Sequence, residues 1–275
     1  MAFGNEVKFG NISENWLFEL TTSNQYCLNF DGSDDVIDFG DILGSTDNFT
    51  IEMWIRADVH TSGTLLSLKD VSASNTANNA SYVLTLQSGG EVRCFYEYGT
   101  SNNEQNTTSD FDLTADSWTH VAVSRNDDDG NLYFYKNGVL VESEIASNDP
   151  SGGDSTGSHL TIGNSHPDAS NNGFDGDIAQ VRIFNTARTN DEIKTYYKDI
   201  VSKDTTGLIA DWRLNEGGGT KVYDSSSNSN EGTITGASWV QDFDQFNETL
   251  RLSFADVTDS SNFYYGAVLN KPSIR

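Results

Sequence analysis

The sequence predicts an all-β protein: a two-sheet antiparallel sandwich with one short helix, plus a small β element built from the two termini. Three observations carry this. Short runs in which apolar and polar residues alternate recur along the chain, as strands with one buried face require. Turn pairs such as Asp-Gly and Asn-Gly separate several of them. Only one stretch, just after Phe184, reads as a helix. Apolar residues are 36% and aromatics 11% of the 275 residues, which is enough for a packed core.

The elements follow in order. Phe3-Gly4-Asn5 recurs as Phe9-Gly10-Asn11, and Glu14–Leu20 follows as an aromatic-rich run. Tyr26–Phe30 and Val36–Phe39 read as the opening strands of the sandwich. In Phe49–Arg56 the alternation is clean: Phe49, Ile51, Met53 and Ile55 share one face, which assigns Glu52 to the solvent side. Thr64–Leu68, Tyr82–Gln87 and Glu91–Tyr98 continue the pattern. Trp118–Arg125 and Asn131–Lys136 flank Asp128-Asp129-Gly130, a hairpin turn, and Asn137-Gly138 marks the next one. His159–Gly163 precedes the most informative run. There Asp175-Gly176 reads as a turn, and Ile178, Gln180 and Arg182 alternate against Ala179, Val181 and Ile183. Thr189 is placed to cap a helix, with Glu192 three residues on to reach back. Ile193, Tyr196 and Tyr197 then give that helix an apolar stripe. Leu208–Leu214 closes the sandwich, and Thr249–Ala255 and Phe263–Leu269 add strand-like runs beyond it. The polar stretches Asp70–Ser81, Gly99–Ser109 and Ser143–Ser158 read as long loops.

Charge narrows the partners. Lys plus Arg is 16 and Asp plus Glu is 41, so the net charge is 16 − 41 = −25. Such a surface repels nucleic acid and anionic membranes, and neither is an expected partner. The first residues lack a basic start followed by an apolar run, and no stretch is apolar for long enough to span a bilayer. Two cysteines, Cys27 and Cys94, both on strand-like runs, read as buried thiols in preference to a disulfide.

Five stretches together resemble the laminin-G-like branch of the concanavalin A-like lectin/glucanase jelly rolls. They are Tyr26–Gly32 with Val36–Gly40, Phe49–Ile55, Trp118–Arg125 with Leu132–Gly138, the Phe174–Ile193 run, and Gly207–Gly217 with Tyr223–Asn228. Ser227 departs from the glycine usual in that last turn. The resemblance implies that the two sheets form a jelly roll. The ends differ. The repeated Phe-Gly-Asn, Glu14–Phe18 and the terminal Phe263–Arg275 resemble framing segments of virion proteins from marine tailed bacteriophages, where they bracket inserted modules. This divides the chain into a flanking segment 1–22, a jelly-roll domain 23–241 and a second flank 242–275 that packs with the first.

Catalysis is not expected. Glycosidases of this fold need two carboxylates facing one cleft, and no run supplies such a pair; Glu52 stands alone on its strand. His60, His120, His159 and His166 are scattered, and His120 reads as a hydrogen-bonded structural imidazole. Calcium is the one cofactor the loops could hold, since it takes six to eight oxygens. Asn79, Asp168, Asn172, Asp175 and Asp177 are the candidate ligands, on loops that hold calcium in pentraxin-type relatives. Glycan binding needs exposed aromatics beside polar groups. Trp54, Trp118 and Trp212 sit at core positions of the resembled family, which leaves Tyr96, Tyr98, Asn102 and Asn103 as candidates, with Tyr133 and Tyr135 as further aromatics. The expectation is a non-enzymatic virion module, in the tail or on the particle surface. It would bind host-surface glycan or decorate the particle, as a homo-oligomer among other virion proteins. The alternative is a carbohydrate-binding module of a cellular polysaccharide-processing system.

Overall fold

Alternating runs become strands, and the computed structural model describes them over residues 6–12, 15–21, 25–42, 47–58, 62–70, 80–98, 103–109, 111, 113–146, 158–165, 172–243, 245 and 252–253. The chain runs through β1 (Glu6–Ile12), β2 (Asn15–Thr21), β3 (Gln25–Asp31), β4 (Val36–Asp38), β5 (Phe49–Ala57), β6 (Gly63–Asp70) and β7 (Ala80–Leu86). It continues with β8 (Val92–Tyr98), β9 (Asn103–Ser109), β10 (Thr119–Asn126), β11 (Asn131–Lys136), β12 (Val139–Ile145) and β13 (Ser158–Ile162). Then come β14 (Asp175–Phe184), α1 (Asn190–Tyr196), β15 (Leu208–Trp212), β16 (Lys221–Val222), β17 (Gly232–Thr235), β18 (Ser238–Phe243) and β19 (Leu252–Ser253).

Two eight-stranded antiparallel sheets make the jelly-roll sandwich. The front sheet has the order β12-β11-β10-β5-β14-β3-β18, with β15 also paired to β14. The back sheet has the order β16-β17-β4-β13-β6-β7-β8-β9. Between them lies one apolar core. Phe49, Ile51, Met53 and Ile55 enter it from β5 as their alternation requires, and meet Leu66, Leu84, Val121, Phe134, Leu160 and Trp212. Phe39 stacks on Trp212 with ring centroids 3.8 Å apart. The termini form a third, three-stranded sheet, β1-β2-β19, in which Phe18 faces Phe9 on one side and Leu252 on the other.

The structure corrects four local expectations. Asp175-Gly176 is not a turn: both residues lie in β14, where Gly176 opposes Phe30 on one side and Ala57 on the other. The glycine is required there because its φ is +140° and a Cβ would run into the Arg56 carbonyl. The simple alternation of β14 also breaks. A bulge at Gln180, whose φ is +42°, puts Ile178, Val181 and Ile183 together in the core and leaves Ala179 outside it. The stretches Gly99–Ser109 and Ser143–Ser158 are not loops throughout, since β9 and the end of β12 occupy parts of them. Finally, Glu52 does not face solvent. It is buried, for a reason that belongs to the next section.

Candidate functional site

The face of the front sheet turned away from the core begins as a row of side chains set by register. Thr50, Glu52 and Trp54 of β5 oppose Ser124, Ala122 and His120 of β10. Ser124 and Ala122 in turn oppose Tyr133 and Tyr135 of β11. From the other side, Arg182 of β14 opposes Glu52, and Phe184 opposes Thr50. In an open sandwich this row would meet water. Here α1 and the residues around it cover much of it, with Ile193 buried against Ala122 and Tyr135.

Polar groups fasten the cover at both ends. The Thr50 hydroxyl donates to the Thr186 carbonyl at 2.8 Å and accepts from the Arg188 N–H at 2.9 Å. The Ser124 hydroxyl donates to the Arg188 carbonyl at 3.4 Å. At the far end the Trp54 indole donates to Tyr197 O at 3.1 Å, and Arg182 donates to Tyr196 O and Asp199 O. A cation on the last carbonyls of a helix is favourable as charge as well as hydrogen bond. The predicted cap is present in full: the Glu192 N–H donates to the Thr189 hydroxyl, and the Glu192 carboxylate accepts from the Thr189 N–H at 2.8 Å.

Glu52 is the centre of charge beneath this cover. Its Oε2 lies 3.0 Å from Arg182 and its Oε1 lies 3.4 Å from Nε of Arg188. Burial alone would raise its pKa, but the attraction of Arg182, with that of Arg188, outweighs it and holds it at about 2. His120 is buried as expected, but among the described residues its imidazole makes no hydrogen bond: Glu52 lies 3.6 Å from its Nε2. It packs edge-on to Trp54 and Tyr197, and burial lowers its pKa, so it is neutral.

Where the cover ends, a cleft of about 240 Å³ opens. Ser124, Asn126, Tyr133 and Tyr135 line it from the sheet, and Ala187, Arg188, Thr189 and Asn190 line it from the cover. Tyr135 is its buried floor and Tyr133 its half-exposed wall. The Tyr133 hydroxyl donates to Asp129 at 2.6 Å, which fixes the ring. That bond, with partial burial, raises the Tyr133 pKa.

Tyr96, the predicted glycan residue whose side chain is described, does not line this cleft. Tyr96 points into the core at 0% exposure, its hydroxyl donating to Ala146 O, so it cannot stack on a ligand. The residue of β8 that alternation turns outward is Phe95, partly exposed, with the Arg93 guanidinium 5.4 Å from its ring centroid. Asn103 opposes Tyr98 across the β8–β9 ladder, and both side chains, like all of Asn102, lie outside the described residues.

The predicted calcium set fares similarly. Asn79 and Asp168 lie outside the described residues. Asp177 is buried and committed: its Oδ2 accepts from Arg56 at 2.8 and 2.5 Å, and its Oδ1 from Asn29. Both of its oxygens are thus engaged, and Asp177 serves as a structural ion pair. Asn172 and Asp175 give backbone carbonyls to Thr64 and Asp58. Among the described members, only Asp177 has its carboxylate engaged in this way. Acids do converge at Asp31, Asp34 and Asp35, whose oxygens lie within 4.8 Å of one another. Asp31 and Asp35 spend oxygens there on the N–H groups of Ser33 and Asp31.

Sequence reading missed Arg188 as a site residue. The one available signal was its position just before the capping Thr189, where the cover meets the sheet. Trp212 is a core residue as expected; Trp54 is buried too, but on the outer face beside Ala179 and Phe243, while Trp118 is only partly buried, with Arg56 over its ring. Cys27 and Cys94 are free buried thiols on different sheets, and burial pushes each up to about 12.

Known proteins agree on the architecture. The family model described as the concanavalin A-like lectin/glucanases superfamily matches residues 31–194. A Bacteroides ovatus protein provisionally described as carbohydrate-binding superposes with a TM-score of 0.60 at 16% identity, covering 84% of this chain and 70% of its own. The K499G mutant of the NanB sialidase of Streptococcus pneumoniae superposes with a TM-score of 0.52 at 18% identity, covering 63% of this chain and 28% of its own. No curated protein matches the sequence. At these identities the structural likeness shows the fold.

Proposed function

Since the match spans more than half of the chain, the protein belongs to the concanavalin A-like lectin/glucanases superfamily, and from that premise we propose a non-enzymatic carbohydrate-binding module that takes glycan at the outer cleft. The observation that carries this reading is Tyr133, a fixed, half-exposed ring beside Asn126 and Asn190 in a concave site. An aromatic face is electron-rich and receives the C–H face of a sugar, while amides alongside it take up hydroxyls. Affinity electrophoresis in gels cast with plant, algal and bacterial polysaccharides tests it. Retardation by at least one glycan is expected, and Tyr133→Ala should abolish it. Migration identical for both proteins in every gel would sink the reading.

Absence of catalysis is part of the proposal. A glycosidase carboxyl must change protonation near neutral pH over an open cleft. Glu52, the acid closest to this face's centre, is buried and kept ionised by two arginines. Calcium takes no part in ligand capture at the cleft. Melting in calcium and in chelator should coincide, whereas a rise of several degrees with calcium would reveal a structural ion in the acidic loops.

The finer placement is a virion module, in the tail or on the particle surface, engaging host-surface glycan as a homo-oligomer among other virion proteins. It is supported by the flanking sequences, Phe3–Asn11 and Phe263–Arg275, which resemble phage framing segments. Immunogold labelling of purified particles is its test, and unlabelled particles would remove it. The alternative, a module of a cellular polysaccharide-processing system, draws support from the names of the fold relatives in Bacteroides ovatus and Streptococcus pneumoniae.

A further inference from the structure

We propose that Arg188 makes the outer cleft selective for a sugar that carries a carboxylate, such as a uronic acid. The proposal rests on the glycan reading of the same cleft and adds the class of ligand. A guanidinium has five N–H donors, and a buried one is normally saturated. Arg182 comes near it through Tyr196 O and Asp199 O, which take both of its terminal nitrogens and leave only Nε without a partner. Arg188 does not. Its side chain is 4% exposed and lines the cleft, yet among the described residues its guanidinium donates no hydrogen bond. Glu52 lies 3.4 Å from Nε without hydrogen-bonding geometry, and it is already shared with Arg182.

Two aromatic rings hold the unsatisfied guanidinium in place. Its carbon lies 4.3 Å from the Phe184 centroid and 5.7 Å from that of Tyr196. Rings offer attraction to a cation but no acceptor for its N–H groups. The nearby acids are occupied. Glu192 spends its carboxylate on the Thr189 N–H and hydroxyl, and Asp129 takes the Tyr133 and Asn126 donors. What the site lacks is a planar acceptor with two oxygens, and a carboxylate is the group that fits a guanidinium fork. The cleft is below the ~300 Å³ at which drug-sized ligands begin, so it suits one sugar unit and not a chain. That unit would set its carboxylate on Arg188, its ring against Tyr133 and a hydroxyl on Asn126.

The long-range field opposes an anion, since the chain carries −25, so binding should be measured in about 0.5 M NaCl, where that field is screened to a few ångströms. Isothermal titration would compare glucuronate and galacturonate oligosaccharides, sialyl and sulfated oligosaccharides, and carboxyl-reduced counterparts. In wild-type protein, carboxyl reduction should weaken binding roughly tenfold or more. Arg188→Met should erase that difference, and Arg188→Lys should keep only part of it. Preference for sialyl over uronate sugars would keep the carboxylate and change its source. Equal binding of acidic and reduced sugars, or preference for sulfate, would overturn the proposal. If Arg188→Met does not fold, the wild-type comparison alone decides. Neutral-sugar binding that Tyr133→Ala abolishes would refute the carboxylate while leaving the glycan module intact; no binding of any sugar would remove both.

Discussion

Beneath α1 a single carboxylate serves two guanidiniums and touches an imidazole, and the protonation of each follows from that crowding. Glu52 is held at about 2 against an ordinary 4.5, so its contribution to stability is present above pH 4.5 and is lost as pH falls from there toward 2. His120 shifts the other way from a charged partner's usual effect: burial lowers it below 6.5, so the folded protein resists the proton that the unfolded chain accepts. Stability from His120 is thus complete above pH 6.5 and declines as pH falls below it. We expect Tm to hold between pH 8 and 7 and to drop on acidification to about pH 5. His120→Leu should flatten that part of the curve, and an unchanged slope would show that the imidazole titrates freely. Tyr96 teaches a related lesson. Glu91–Tyr98 offers aromatics on both faces, and only the core position of its neighbours Val92 and Cys94 settles that Tyr96 points inward. One strand read by itself does not say which face is the core.

Elements were legible where their signals were local. The α1 cap needs only Thr189 and Glu192 at the right spacing, and both reciprocal bonds form. Thr189→Ala should cost about 1 kcal/mol in denaturant unfolding, with faster amide exchange in Asn190–Tyr196. A loss below a few tenths would mean that packing of Ile193 alone holds the helix. The central strands β5, β10 and β14 were also legible, since one face of each meets the core. Of the missed strands, β9, β12, β16 and β18 are edges of their sheets and β17 is a short inner one. An edge strand has a neighbour on one side only, and Asn103–Ser109 carries polar residues throughout, as edges that avoid aggregation do. The Gln180 bulge was invisible for another reason. Its register shift is imposed by pairing with β5, a long-range partner that no window of sequence contains. The same limit hid the site, because Arg188, Tyr133 and Asn126 are joined only when α1 folds over the front sheet.

On the scale of the whole molecule, the question is where the sandwich ends. Among the described residues its two sheets and the β1-β2-β19 sheet share no ladder, which supports a jelly roll that folds without its flanks. The sequence-based limit at 241 would, however, remove Phe243. That ring is buried beyond β18's exposed middle, with centroids 4.8 Å from Trp118 and 5.9 Å from Trp54, both edge-on. Asp242, next to it, takes the Trp118 indole N–H on its carbonyl and the Arg56 guanidinium on its carboxylate. Arg56 also holds Asp177, so β3, β5, β14 and β18 meet through this one corner. A chain of residues 25–243 should therefore fold and melt within a few degrees of the full protein. Ending it at 241 should remove about 3–5 kcal/mol, the loss typical of a deleted core phenylalanine. Parallel urea titrations of the two truncations and the full chain measure this. Equal stability of both truncations would show that the Phe243 corner is dispensable. A shorter chain that unfolds early would fix the domain's end at the ring, whatever the flanks are for.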